Sequence, residues 1–283
     1  MKPAEKKLTF FPYIGGKHYL AKLIVELIPE HEIYVEPFVG AGHVFFAKER
    51  SRIEVLNDAD SKIANLFYCV AFHFNEFWSK FRWLVYSRAI NKKLAEALKG
   101  KRVELGDVDS AVGTLYLAYS SFGGKLYGGL SYGKTIRRAN ALETAISRLE
   151  LIHKRLLGDV YIECLDFEDV MNRWDGERTF FYCDPPYYSL QHYNHRFTEE
   201  DHRRLLNKLK QVKGKWILSG YHNELYGTEL KSFPYVEIGV SKPSYGITVN
   251  SKRKTKPRAT EVLWFNYEPD PAILRKYGLE LKG

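Results

Sequence analysis

Apolar side chains recur at helical spacing over residues 18–28: Leu20, Leu23, Ile24, Leu27 and Ile28 share one stripe, and Pro29 stops it. Ile33-Tyr34-Val35 reads as a short strand. Phe45 to Arg50 is expected to continue as a helix after a glycine turn, and Ile53 to Leu56 as a second strand closed by Asn57-Asp58. Strand, helix and strand at this spacing make a βαβ unit, so a parallel sheet is expected. The pattern changes between about Ser61 and Ala139. Residues 61–98 read as helices rich in aromatics, and the glycines from Ser120 to Lys134 mark turns or a hairpin. Helical spacing returns at Leu142, Ile146, Leu149 and Leu156. Val160-Tyr161-Ile162 is then a strand, and Thr179-Phe180-Phe181-Tyr182-Cys183 a buried one. Thr198 with Asp201 three residues on resembles a capping box, opening a helix that carries Leu205, Leu206, Leu209 and Val212. Trp216-Ile217-Leu218 is another strand, and Glu261 to Tyr267 the last. The fold class is therefore α/β. Segments 1–60 and 141–283 flank a differently composed insert at 61–140, with no internal repeat.

Composition narrows the partners. At 283 residues the chain can bury a full core. Lys plus Arg exceed Asp plus Glu, 43 − 34 = +9, which favours a polyanionic partner. The 20 Tyr, 17 Phe and 5 Trp supply a large aromatic core, and mixed with bases they also suit a surface that stacks nucleobases. The three cysteines have no paired short spacing, so neither a disulfide framework nor a zinc site is expected. The first residues lack the apolar core of a signal peptide, and no apolar run reaches spanning length; no membrane partner is expected, and a cytoplasmic location is.

The chemistry gathers at the predicted strand ends. The buried run 179–183 is followed by Asp184-Pro185-Pro186-Tyr187. In open α/β sheets, ligands bind at the carboxyl ends of strands. Two prolines stiffen this loop and remove two backbone donors, leaving carbonyls to accept. A carboxylate and bare carbonyls beside a flat ring suit a planar group bearing an NH2, such as adenine or cytosine; a plain turn followed by a core tyrosine is the competing reading. Glu36-Pro37-Phe38-Val39-Gly40-Ala41-Gly42 follows the first strand, and Gly40 and Gly42 let a ligand approach the backbone. The expected helix after it offers orphan N–H groups. The third glycine of a dinucleotide fingerprint is missing, since position 45 is Phe. Asp58 ends the next strand, where a carboxylate accepts from ribose hydroxyls; an Asn-Asp turn is the alternative, and Asp60 competes for the role.

Taken in order, Phe11-Pro12-Tyr13-Ile14-Gly15-Gly16-Lys17, then residues 36–42, Asp58, Asp166-Phe167 and Asp184 to Tyr187 resemble the Dam-like (D12 class) DNA adenine-N6 methyltransferases. The resemblance covers most of the chain and is weakest over 61–140. It implies a Rossmann-like S-adenosylmethionine-dependent methyltransferase sheet with an inserted, mainly helical target-recognition domain. It also implies S-adenosyl-L-methionine as cofactor, double-stranded DNA as partner, and site-specific methyl transfer to the exocyclic amine of a flipped-out adenine. Tyr13, Gly15, Gly16 and Lys17 then line the cofactor pocket, with Lys17 near the methionine carboxylate. Glu36, Phe38, Gly40 and Gly42 resemble the loop that holds the cofactor. Asp58 matches the ribose acid, and Asp166 the acceptor for the cofactor's adenine amine, with Phe167 beside it. Asp184, Pro185, Pro186 and Tyr187 match the catalytic motif, and His43 stands where relatives often carry Ser. An exposed surface lysine at Lys17 and a helix cap or solvated acid at Asp166 are the alternative readings. A monomer, associated with the nucleoid through DNA binding, is expected. A cognate restriction endonuclease, and with it a restriction-modification role, stays open.

An adenine amine is a poor nucleophile because its lone pair is delocalised, so the enzyme must orient it. Asp184 is expected to accept one amine hydrogen and the Pro185 carbonyl the other, stabilising positive charge as it appears on nitrogen. Tyr187 is expected to stack on a target base flipped from the duplex. His192 and His195 are read as loop residues near DNA, because the product amine can lose its proton after transfer. The DNA-reading candidates are Lys125, Lys134, Arg137 and Arg138, with Tyr127 and Tyr132 among them and no acid from Lys125 to Arg138. Lys252 and Arg253 belong to a second acid-free basic stretch, Lys242 to Arg258. An ordinary basic surface loop is the plain alternative for the first stretch, and a mobile solvated loop for the second. Cytosine-N4 or RNA adenine methylation, and a catalytically silent DNA-binding protein, are the rival functions.

Overall fold

The computed structural model describes residues 8–13, 17–124, 126–132, 140–188, 197–241 and 258–283. In chain order the elements begin α1 (Ala21–Leu27), β1 (Ile33–Glu36), β2 (Ile53–Asn57), α2 (Ser61–Phe72), α3 (Phe74–Phe81), α4 (Arg88–Leu98), α5 (Val108–Ser120) and α6 (Asn140–Leu156). They continue β3 (Val160–Glu163), α7 (Phe167–Trp174), β4 (Thr179–Cys183), α8 (Glu199–Leu209), β5 (Lys215–Gly220), α9 (Glu224–Glu229), β6 (Tyr235–Ser241), β7 (Arg258–Phe265) and α10 (Pro271–Tyr277).

The strands form one seven-stranded sheet in the order β3-β2-β1-β4-β5-β7-β6. β1 runs parallel to β2 and β4, and β4 parallel to β5, while β7 is antiparallel to β5 and β6. The order reverses between β1 and β4: the chain moves outward from β1 through β2 to β3, then returns to β1's other side. Such a switch point opens a crevice at the carboxyl ends of the two strands. All five residues of β4 are buried, as a strand covered on both faces requires.

The chain forms two compact units. One is drawn from Lys22–Val39, Glu49–Ala59 and Glu163–Gly283. Here α7 and α8 bury Val170, Met171, Leu205, Leu206 and Leu209 in one core with Val35, Phe181 and Leu218 of the strands. Each such side chain contributes about 1.5–3 kcal/mol on burial. Thr198 caps α8 and closes the expected box with Asp201. The other unit is drawn from Met1–Ala21, Gly40–Lys48 and Asp60–Ile162. It holds α2 to α6 and a cluster of edge-packed rings, including Phe10 against Phe67 at 5.1 Å. It takes in α6 and the segment after β1, so it reaches beyond 61–140.

Several elements differ from the sequence expectation. The helix expected from Phe45 to Arg50 is only a turn, closed by Phe46 N to Gly42 O and Lys48 N to Val44 O at 2.9 and 3.1 Å. Phe45 and Phe46 are both buried, and the chain must straighten to enter β2 at Ile53. The last strand begins at Arg258, ends at Phe265 and pairs antiparallel with β6, which no sequence pattern had marked. The hairpin reading holds where the chain is described: Ser121 bridges Leu130, and Ser131 N donates to Ser120 O at 2.7 Å.

Candidate active site

The carboxyl ends of β1 and β4 carry the acids. Glu36 ends β1, is buried, and accepts from the Tyr34 hydroxyl at 2.5 Å. Asp184 follows β4 directly and is half-buried. Ser219 of β5 donates its hydroxyl to Asp184 Oδ1 at 2.8 Å, and the Tyr182 hydroxyl lies 3.4 Å from Ser219 Oγ. Pro185 is buried and Pro186 half-buried. Tyr187 is 8% exposed, meets Tyr221 edge-on at 4.5 Å, and donates its hydroxyl to Glu261 of β7. Burial, then the charge of Asp184, raises the Tyr187 phenol well above its ordinary value, so it stays a donor.

At the end of β2, Asn57 is a buried clamp. Its Nδ2 donates to Pro37 O and Leu165 O at 2.9 and 3.1 Å, and its Oδ1 accepts from Leu165 N at 2.9 Å. It thereby ties the loops after β1 and β3 and holds its half-buried neighbour Asp58 at the strand end. The competitor Asp60 instead caps α2, accepting from Lys62 N at 3.0 Å. Asp166 caps α7 through Glu168 N at 2.9 Å, as its alternative reading had it. Arg204 Nη2 also reaches Asp166 Oδ1 at 2.9 Å, with Cζ 4.9 Å over the Phe167 ring. Phe38 and Phe167 come together at 5.5 Å, joined by Phe197.

The remaining cofactor candidates belong to the other unit. Gly40 and Gly42 both have positive φ, 49° and 63°. A Cβ on Gly40 would stand 3.0 Å from Cε1 of Tyr13, so the glycine admits that ring. Lys17 is 2% exposed and is no surface lysine. Gly15 and Gly16 lie outside the described residues. So do Lys125, Lys134, Arg137, Arg138, Lys252, Arg253, His192 and His195. Of the described DNA-reading candidates, Tyr132 is 73% exposed, with Arg88 4.9 Å over its ring. Tyr127 is half-buried and donates inward to Leu98 O at 3.1 Å. Among the described residues no group of His, Cys, Asp and Glu could hold a metal ion, and no helix is long and apolar enough to cross a membrane.

Asn57, Ser219, Arg204 and Glu261 escaped sequence reasoning. Each acts through a residue distant in the chain, and only the acid inside the apolar run 261–265 left a trace.

A mostly parallel sheet with acids at the ends of β1, β2 and β4 defines an α/β enzyme of the Rossmann-like methyltransferase type. Residues 13–241 match the model of the D12 class N6 adenine-specific DNA methyltransferases, and the chain belongs to that family. It is 29% identical over 191 residues to the DNA adenine methylase of Escherichia coli (strain K12), covering 66% of this chain and 67% of that protein. The DNA adenine methylase of Salmonella typhi is 28% identical over 188 residues, with the same coverage. The DNA N-6-adenine-methyltransferase of Escherichia phage P1 is 25% identical over 240 residues, 74% of this chain and 29% of that one. The activity is accordingly site-specific methylation of adenine N6 in DNA, which requires a methyl donor.

Proposed function

We propose that the donor is S-adenosyl-L-methionine and that Asp184 and the Pro185 carbonyl grip the amine of an adenine swung out of duplex DNA. When bound, the donor supplies an electrophilic methyl on a sulfonium. The residues suited to hold it are Tyr13, Lys17, Glu36, Phe38, Gly40, Gly42, Asp58, Asp166 and Phe167. A glycine whose Cβ would press on Tyr13 favours this fit, as does a lysine that is buried rather than solvated. Asp58 suits a ribose, and its rival Asp60 is committed to capping α2.

The observation that carries the reading is Asp184 at the switch-point end of β4, with Oδ1 held by Ser219 at 2.8 Å. A carboxylate aimed in advance needs no reorganisation when positive charge appears on the amine. Holding two reactants in line can remove about 7–11 kcal/mol of a barrier. The amine nitrogen would take the methyl as the carbon–sulfur bond breaks, the bonding pair staying on sulfur, which leaves as a neutral thioether; the nitrogen then releases a proton to water, so no early base is needed. Tyr187, braced by Tyr221 and Glu261, offers the flipped base a ring of fixed plane. Residues 61–140 read the DNA, with Tyr132 and the basic residues around it at the duplex, and the enzyme works in the cytoplasm.

Asp184→Ala tests this. It should abolish transfer of labelled methyl to unmethylated plasmid DNA while calorimetry still detects S-adenosylmethionine binding. Wild-type-like turnover in that variant would refute the role of Asp184.

A further inference from the structure

β7 is buried at Val262, Leu263, Trp264 and Phe265, yet the same run carries Glu261 at 0% exposure. Taking a carboxylate out of water is costly unless hydrogen bonds compensate it. An aliphatic residue would fill such a strand position without that cost. Glu261 accepts the hydroxyl of Tyr187. Its register is set by Ile238 opposite on β6, and its neighbour Val262 faces Gly220 on β5. The catalytic tetrapeptide is thus bonded at both ends: Asp184 to Ser219 of β5, and Tyr187 to Glu261 of β7. Two prolines stiffen the span between these anchors.

We propose that Glu261 is a positioning residue for methyl transfer. By accepting from Tyr187 it sets the plane of the ring on which the flipped base rests, and the path of the backbone linking that ring to Asp184 and Pro185. It acts through Tyr187 and touches neither donor nor base. The proposal rests on the reading that Asp184 to Tyr187 holds the target adenine. Glu261 lies past residue 241, where the family match ends, so geometry alone makes the assignment.

The test is steady-state kinetics with labelled S-adenosylmethionine and unmethylated plasmid DNA, together with donor binding by calorimetry. Glu261→Leu should lower kcat about a hundredfold, the scale of a small misplacement at a reacting centre. The donor Kd should stay within about twofold, because the loss falls on the transfer step rather than on binding. Glu261→Gln keeps an acceptor oxygen and should hold kcat within about fivefold. Tyr187→Phe keeps a ring able to stack but loses the hydroxyl, and should fall as Glu261→Leu does. The double variant Tyr187→Phe/Glu261→Leu should be no slower than either single, since all three lack the same hydrogen bond. Wild-type kcat in Glu261→Leu, or losses that multiply in the double variant, would overturn the proposal. Should Glu261→Leu fail to fold, Tyr187→Phe decides alone, and wild-type kcat there overturns it. A wild-type enzyme that puts no label into DNA would instead sink the proposed donor and the reading of the tetrapeptide, and the Glu261 proposal, which rests on that reading, with them.

Discussion

Ser219 is one hydroxyl on β5, yet it sets where Asp184 points. A hydrogen bond to a charged group contributes about 1.5–3 kcal/mol. Ser219→Ala should therefore lower kcat by about one to two orders of magnitude with donor binding kept, measured by the plasmid assay and calorimetry. Gly40 tests the donor loop. Its φ of 49° strains any side chain, and an added Cβ would meet Tyr13 at 3.0 Å. Gly40→Ala should weaken donor binding about tenfold or more, a loss of about 1.4 kcal/mol. At this scale the sequence was informative wherever chemistry and backbone demand one residue type. Asp184, Asp58 and Gly40 could be picked out as candidates in one dimension. Ser219 could not, because its meaning lies in an acid 35 residues away.

Elements depend on caps and clamps. Asn57 satisfies three backbone groups from inside the sheet edge. Asn57→Ala should lower stability by about 2–4 kcal/mol, read from denaturant unfolding, because buried partners lose their bonds together. Strands β1 to β5, most of β7 and helices α1, α6 and α8 were visible as runs, stripes or a capping box, and residues 61–98 as helices. α5 escaped because nearly every position is buried, Thr114 and Ser120 included: a helix packed on almost every side has no polar face to reveal its period. The helix expected after Gly42 failed for the opposite reason. Phe45 and Phe46 look like a helical start, but both rings are claimed by the core. α7 was missed although Asp166 was singled out, because a capping acid and a ligand-binding acid are the same residue in sequence.

The whole molecule has a net charge of +9 and a polyanionic substrate. DNA affinity should fall roughly a thousandfold or more between about 50 and 200 mM salt, as phosphate contacts release counterions, and filter binding across that range checks it. Stability should depend on pH through two buried imidazoles. Burial depresses His43 and His202 from 6.5 to about 4. The unfolded chain protonates them near 6.5 while the fold holds them neutral, so stability is full above that pH and declines as pH falls toward about 4. Thermal unfolding midpoints from neutral pH downward should show the drop. What the sequence by itself determined was the class of fold, and it marked Asp184 to Tyr187 as the candidate for the corner proposed above to hold the target base, because a buried strand, a glycine elbow and a proline-stiffened acid are local demands on residue type. Only the tertiary structure decided what braces that corner. Ser219 and Glu261 reach it from strands that meet β4 and its loop only after folding, and a hydrogen bond between distant segments leaves no period or spacing along the chain.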